Sequence, residues 1–68
     1  MIDVNGLKAY IVKNGMTQKD VASKLGISPK TFYTKMQTGK FGLDEATEMT
    51  KILSIENPSA IFFASQVT

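Results

Sequence analysis

Five residues, Leu25-Gly26-Ile27-Ser28-Pro29, constrain this chain more than any others, because they end one helix and start the next with almost nothing between. Gly26 supplies the positive φ of a sharp helix stop. Ser28 is a good N-cap, and Pro29 follows at the first helical position, where a missing N–H costs nothing. Two short helices joined by about three residues, with a glycine in the turn, form a helix-turn-helix. The helix before the turn opens on Thr17-Gln18-Lys19-Asp20, which fits a capping box with an unusually short carboxylate partner. Its buried stripe is Val21, Ala22 and Leu25. Ala22 is small enough to let the next helix cross closely, and Ile27 can plug the gap. Beyond the turn, Phe32 and Met36 lie four apart and face inward, and Gly39 ends the helix.

Three further helices are expected around this pair. The first runs from about Val4 to Asn14, capped by Asp3 and stopped by Gly15, with Val4, Leu7, Tyr10 and Ile11 on one face. Gly6 costs this helix about 1 kcal/mol relative to alanine, which predicts a frayed first turn. The fourth runs from Leu43 to Leu53, with Leu43, Ala46, Met49, Thr50 and Leu53 inward and Asp44 and Glu45 in its dipole-favoured first turn. Asn57-Pro58 reads as cap and first residue of a fifth, through Ser59-Ala60-Ile61-Phe62-Phe63-Ala64. The expectation is a compact all-α domain of five helices over residues 1–68, with no strand, repeat or linker.

Sixty-eight residues allow one core, and such a chain buries only about 60% of its unfolded surface. An apolar share of 43% with 21% charged residues is globular rather than disordered. The sequence has no cysteine and no histidine, which removes disulfides, thiolate chemistry, zinc sites and histidine-dependent triads. MIDVNG is no signal peptide, and the longest apolar run, Ala60 to Ala64, is far short of a membrane span. A soluble intracellular protein without cofactor is therefore expected.

The net charge of +2 hides an asymmetry. Residues 7–43 carry seven of the eight lysines against Asp20 alone, a balance of +6. Residues 44–68 carry Asp44, Glu45, Glu48 and Glu56 against Lys51, a balance of −3. The basic part suits a polyanion and the acidic part is expected to face away from it; on charge alone, lysines that merely solvate helix surfaces explain the pattern equally well.

The segment TQKDVASKLGISPKTFYTKMQTGK resembles the helix-turn-helix of the phage repressor and Cro (XRE) family, through Thr17-Gln18, Ala22, Leu25-Gly26-Ile27-Ser28, Phe32 and Gly39-Lys40. FGLDEATEMTKIL and NPSAIFF are similar to the fourth and last helices of its small phage and prophage members, so the resemblance spans nearly the whole chain. Two positions depart from it. Ser54 stands where members usually have a glycine, and Lys35 stands where they often have a second apolar anchor.

The resemblance implies a small sequence-specific regulator of transcription, a Cro-like repressor acting on duplex DNA in the cytoplasm and nucleoid of a bacterial host. In such proteins the second helix of the pair lies in the major groove with its N-terminal residues at the base edges, and the first crosses the backbone. Carried over, Lys30, Thr31, Tyr33 and Thr34 of a recognition helix spanning about 28–38 face the bases, with Ser28 and Pro29 at the lip of the groove. Thr17 and Gln18 meet a phosphate at their helix N-terminus. Lys19, Lys35 and Lys40 each neutralise a phosphate, about six in a dimer, for a log–log salt slope of about −5. The chain has no arginine, so the commonest contact to guanine is missing. Lys30 can serve guanine less selectively, while Pro29, Thr31, Thr34 and the Tyr33 ring favour thymine methyls.

Other readings compete at particular residues. Lys13 and Lys24 read as solvated, and Tyr33 is as consistent with a half-buried ring and wet hydroxyl as with a base contact. Ile61, Phe62 and Phe63 cannot all face one core from one helix. Two of them close the core, and Phe62 or Phe63 is left over, for packing on the first helix or for a homodimer contact. The resemblance favours the dimer, hence palindromic half-sites. Asp44, Glu45 and Glu48 read as a solvated helix start rather than catalytic acids. Gly39-Lys40 fails the phosphate-loop pattern, which would need a glycine at Thr34 and a hydroxyl at Phe41. No enzyme and no small-molecule ligand is expected. The alternative function is a protein-interaction module, an antirepressor or accessory subunit, using the Ile61-Phe62-Phe63 end.

Overall fold

A computed structural model describes residues 2–63. They form five α-helices and no strand: α1 (Val4–Lys13), α2 (Gln18–Leu25), α3 (Pro29–Thr38), α4 (Leu43–Ile52) and α5 (Pro58–Phe62). None is long and apolar enough to cross a membrane. The Cα radius of gyration is 10.9 Å, which matches a close-packed chain of this length, about 11 Å.

The helix starts follow their local chemistry. Asp3 Oδ1 accepts from the Gly6 amide at 2.9 Å, and Ser28 Oγ accepts from the Thr31 amide at 3.1 Å. The capping box of α2 is complete: Thr17 Oγ1 accepts from the Asp20 amide at 3.1 Å, and Asp20 Oδ2 accepts from the Thr17 amide at 2.8 Å. The fifth start is weaker than its sequence suggests. Asn57 occupies the N-cap position of α5 but makes no side-chain hydrogen bond there, so the proline alone shapes that turn.

Four helices end on a left-handed residue, glycine at 15, 26 and 39 and serine at 54. The last is the exception, with Ser54 at φ +51°. The cap it completes is well formed, since Ile55 N–H reaches back to the Thr50 carbonyl at 3.0 Å. Ser54 thus takes the left-handed conformation that favours glycine.

One core unites the helices. Leu7 and Ile11 of α1, Val21 and Ala22 of α2, Phe32 and Met36 of α3, Ala46 and Met49 of α4, Leu53, Ile55, and Ile61 and Phe62 of α5 are all buried. Two expectations fail here. Leu43 is 73% exposed rather than inward, because a helical side chain leans over the turn N-terminal to it and Leu43, first in α4, has no such turn beneath it. Gly6 is not a weak point either. A Cβ there would stand 2.5 Å from Asp3 Oδ2 and 2.9 Å from Ile61 Cδ1. The glycine lets the Asp3 cap and α5 close on the first turn of α1, and Asp3 N–H binds the Ile61 carbonyl at 2.7 Å.

Ser54→Gly should stabilise the fold. Relief of left-handed strain exceeds the added entropy of the unfolded chain, leaving a gain of about 0.5–1 kcal/mol. Thermal denaturation should show the midpoint rising by roughly 3–6 °C; a fall would mean the serine hydroxyl has a role its φ does not suggest.

Candidate nucleic-acid interface

The face in question is the outer side of α3. Phe32, with no exposed surface, and Met36 turn inward. Helical periodicity then sends Lys30, Thr31, Tyr33 and Thr34 outward, and all four are exposed. Ser28 is exposed at the start, while Pro29 is half-buried between the lip and the core. Tyr33, at 46% exposure, stands on the edge of this face, its ring neither buried nor free. Gln37 was missed in the sequence and belongs to the same surface. It lies three residues beyond Thr34 and seven beyond Lys30, and is exposed. That i, i+4, i+7 spacing was the available signal. Its amide carries a donor and an acceptor on two adjacent atoms, the bidentate pattern that suits adenine.

The turn presents the face as expected. Gly26 takes φ +75°, Ile27 N–H returns to the Ala22 carbonyl at 3.1 Å, and fully buried Ala22 lets α3 pack on α2. Phe32 meets Phe41 at 5.6 Å between ring centroids, tilted by 58°, so the segment after α3 also holds the helix down.

The charges are less cleanly divided than the sequence suggests. Lys35 was expected at a phosphate, but its Nζ pairs with Glu45 Oε1 at 3.1 Å. The same Glu45 atom accepts from the Gly42 amide at 2.9 Å, so one carboxylate both starts α4 and holds the lysine. Lys24 shares a cleft with Asp44, Glu45 and Glu48. The acidic start of α4 therefore lies against the basic helix pair instead of facing away. The fold brings together in space what the sequence separates. Lys19, Lys30 and Lys40 remain exposed and without an ion pair among the described residues, while Lys13 sits 5.7 Å over the Tyr10 ring.

The N-terminus of α2 is also partly spent. Thr17 and Asp20 amides are taken by the capping box, which leaves the Gln18 and Lys19 N–H groups and the two side chains for an anion. The Asp20 carboxyl is held below its ordinary value of 3.8, first by the Thr17 backbone amide and then by its hydroxyl, with Lys24 and Lys19 assisting. Because the folded pKa is lowered, its stabilising effect is present above the ordinary value and lost as pH falls through the lowered one. It remains a negative charge at neutral pH beside the anion-binding candidates.

Of the three apolar residues at the far end, Ile61 and Phe62 are each 6% exposed. Both belong to the core, which removes them as surface contacts; burial of their side chains under α1 and α4 leaves no area to share. Phe63 is the residue left outside, at 45%. It stands with exposed Leu43 along two adjoining clefts of about 170 and 270 Å³, lined also by Ala46 and Phe62. Ala64 lies outside the described residues.

No family model, curated protein or solved structure matches the chain.

Replacing Glu45 with glutamine should free Lys35 while keeping an acceptor for the Gly42 amide. If α3 meets duplex DNA, Glu45→Gln will bind it more tightly at low salt. The log–log salt slope of a dimer should steepen from about −3.6, with four phosphates neutralised, to about −5.4, with six. Equal slopes would show that Lys35 contributes nothing to an anion.

Proposed function

We propose that this chain binds duplex DNA site-specifically as a homodimer, and acts as a small transcription regulator of the Cro-like repressor type. The observation that carries the proposal is the division of α3. Phe32 and Met36 fix it to the core, and Lys30, Thr31, Tyr33, Thr34 and Gln37 stand clear on its other side. A helix rich in hydroxyls, with a lysine and an amide and no acid on that face, suits a groove lined by base edges between phosphates. The abrupt turn lets α3 project while α2 lies across the backbone, with Gln18 and Lys19 at one phosphate and Lys40 at another.

The second copy is assigned to Leu43 and Phe63. Both are large, apolar and exposed, and an isologous contact between two such surfaces yields inverted half-sites in the DNA. Repression would then be occupancy, with the site blocked to whatever else reads it.

The same exposed pair supports a second reading, in which Leu43 and Phe63 dock on a partner regulator and α3 contacts no nucleic acid. Selection of bound duplexes from a random library at near-physiological salt separates the two. Enrichment of inverted half-sites about one helical turn apart is the expected result. Absence of any enriched sequence, with a salt-independent mobility, would favour the protein partner.

A further inference from the structure

The hydroxyls of the α3 face are not equivalent, and their hydrogen bonds separate them. Thr34 Oγ1 donates to the Lys30 carbonyl at 3.0 Å, and Thr38 Oγ1 donates to the Thr34 carbonyl at 3.0 Å. Each hydroxyl has one proton, and in both it is spent on the helix itself. Ser28 Oγ donates to Thr31 Oγ1 at 2.9 Å while accepting from the Thr31 amide. Its proton is spent as well. Thr31 differs: the Thr31 amide donates into Ser28 Oγ, which strengthens Ser28 as the donor of this pair and leaves the Thr31 proton as the uncommitted one.

We infer that Thr31 is the hydroxyl that hydrogen-bonds a base acceptor, and that Thr34 reads through its methyl group alone, which places a thymine opposite it in each half-site. The inference rests on the DNA-binding reading above. At Thr34 the oxygen lies against the helix backbone, so the methyl is the substituent that stands clear. A thymine C5-methyl is the apolar group the major groove offers it. Thr31 sits one turn earlier, next to Lys30, and both can donate to the acceptors of guanine or thymine. Donors thus cluster at the entry to α3, an apolar contact follows one turn on, and the Gln37 amide lies a further turn along. The ordering gives the half-site a polarity: an acceptor-rich base pair first, then the thymine.

Deoxyuridine provides the test, because it removes the C5-methyl and changes nothing else at the groove edge. Each thymine of the duplex selected by the unaltered protein is replaced in turn, and affinity is measured for that protein, Thr34→Val, Thr34→Ser, Thr31→Val and Thr31→Ser. The unaltered protein and Thr34→Val should both lose about three- to fivefold at the same position in each half-site, the scale of one methyl contact. Thr34→Ser, which keeps the hydroxyl and lacks the methyl, should be insensitive there. Thr31→Val should weaken binding by about fivefold or more, and Thr31→Ser by less than about twofold. The assignment is overturned if Thr34→Val weakens binding as much as Thr31→Val, or if Thr34→Ser keeps the uracil response. Failure of the unaltered protein to select any duplex would remove the DNA reading itself and this assignment with it.

Discussion

Everything proposed for the outer face of α3 depends on one burial on its inner face. Phe32 has no exposed surface, and it is pinned from two directions. Below it lies the close approach to α2 that Ala22 permits, and beside it the ring of Phe41. A fully buried phenylalanine is worth about 3–5 kcal/mol against its truncation, in a class of protein whose whole stability is about 5–15 kcal/mol. The turn adds geometry rather than energy. With only Gly26, Ile27 and Ser28 between helices, α3 has little freedom to move once Phe32 is seated. Rigid presentation follows from that seating, and a rigid helix meets a groove without a further ordering cost.

Local signals carried most of the architecture. The box at Thr17 and Asp20, the cap at Ser28 with Pro29, and the stop at Gly26 each involve atoms a few residues apart. Such contacts are decided by sequence neighbours, and they appear in the fold where the pattern puts them. The same is true of the Phe32 and Met36 stripe, because helical period alone determines which side they share. Ser54 is instructive in the same way: the backbone takes the left-handed turn there although the residue is not the one that favours it.

Contacts between distant segments were not legible. Gly6 looked like a propensity defect, and its reason is Ile61, far along the chain. Lys35 looked like a phosphate ligand and is held by Glu45 across the α3–α4 connection. Asn14 gave no signal at all, yet its side-chain amide donates to the Leu53 carbonyl at 2.9 Å, joining the ends of α1 and α4. At the face itself, Lys30, Thr31, Tyr33 and Thr34 are legible from residue type, whereas Gln37 joins them only through the helical period, a turn further along. Which hydroxyls were free could not be read from composition, because back-bonding to a carbonyl depends on the rotamer. The electrostatics changed most. Acidic α4 and basic α3 are segregated in the sequence and adjacent in the fold, which tempers the positive face and gives base contacts a larger share in any selectivity.

That α3 is the surface presented to DNA can be checked by following backbone amide resonances while a short duplex of arbitrary sequence is added at low salt. Nonspecific binding depends on phosphates and needs no known target. The largest shifts are expected at Gln18, Lys19, Ser28 and residues 30–38, with Leu43 and Phe63 unmoved by the duplex itself. Shifts confined to Leu43, Thr47 and Phe63, or none anywhere at low salt, would contradict it.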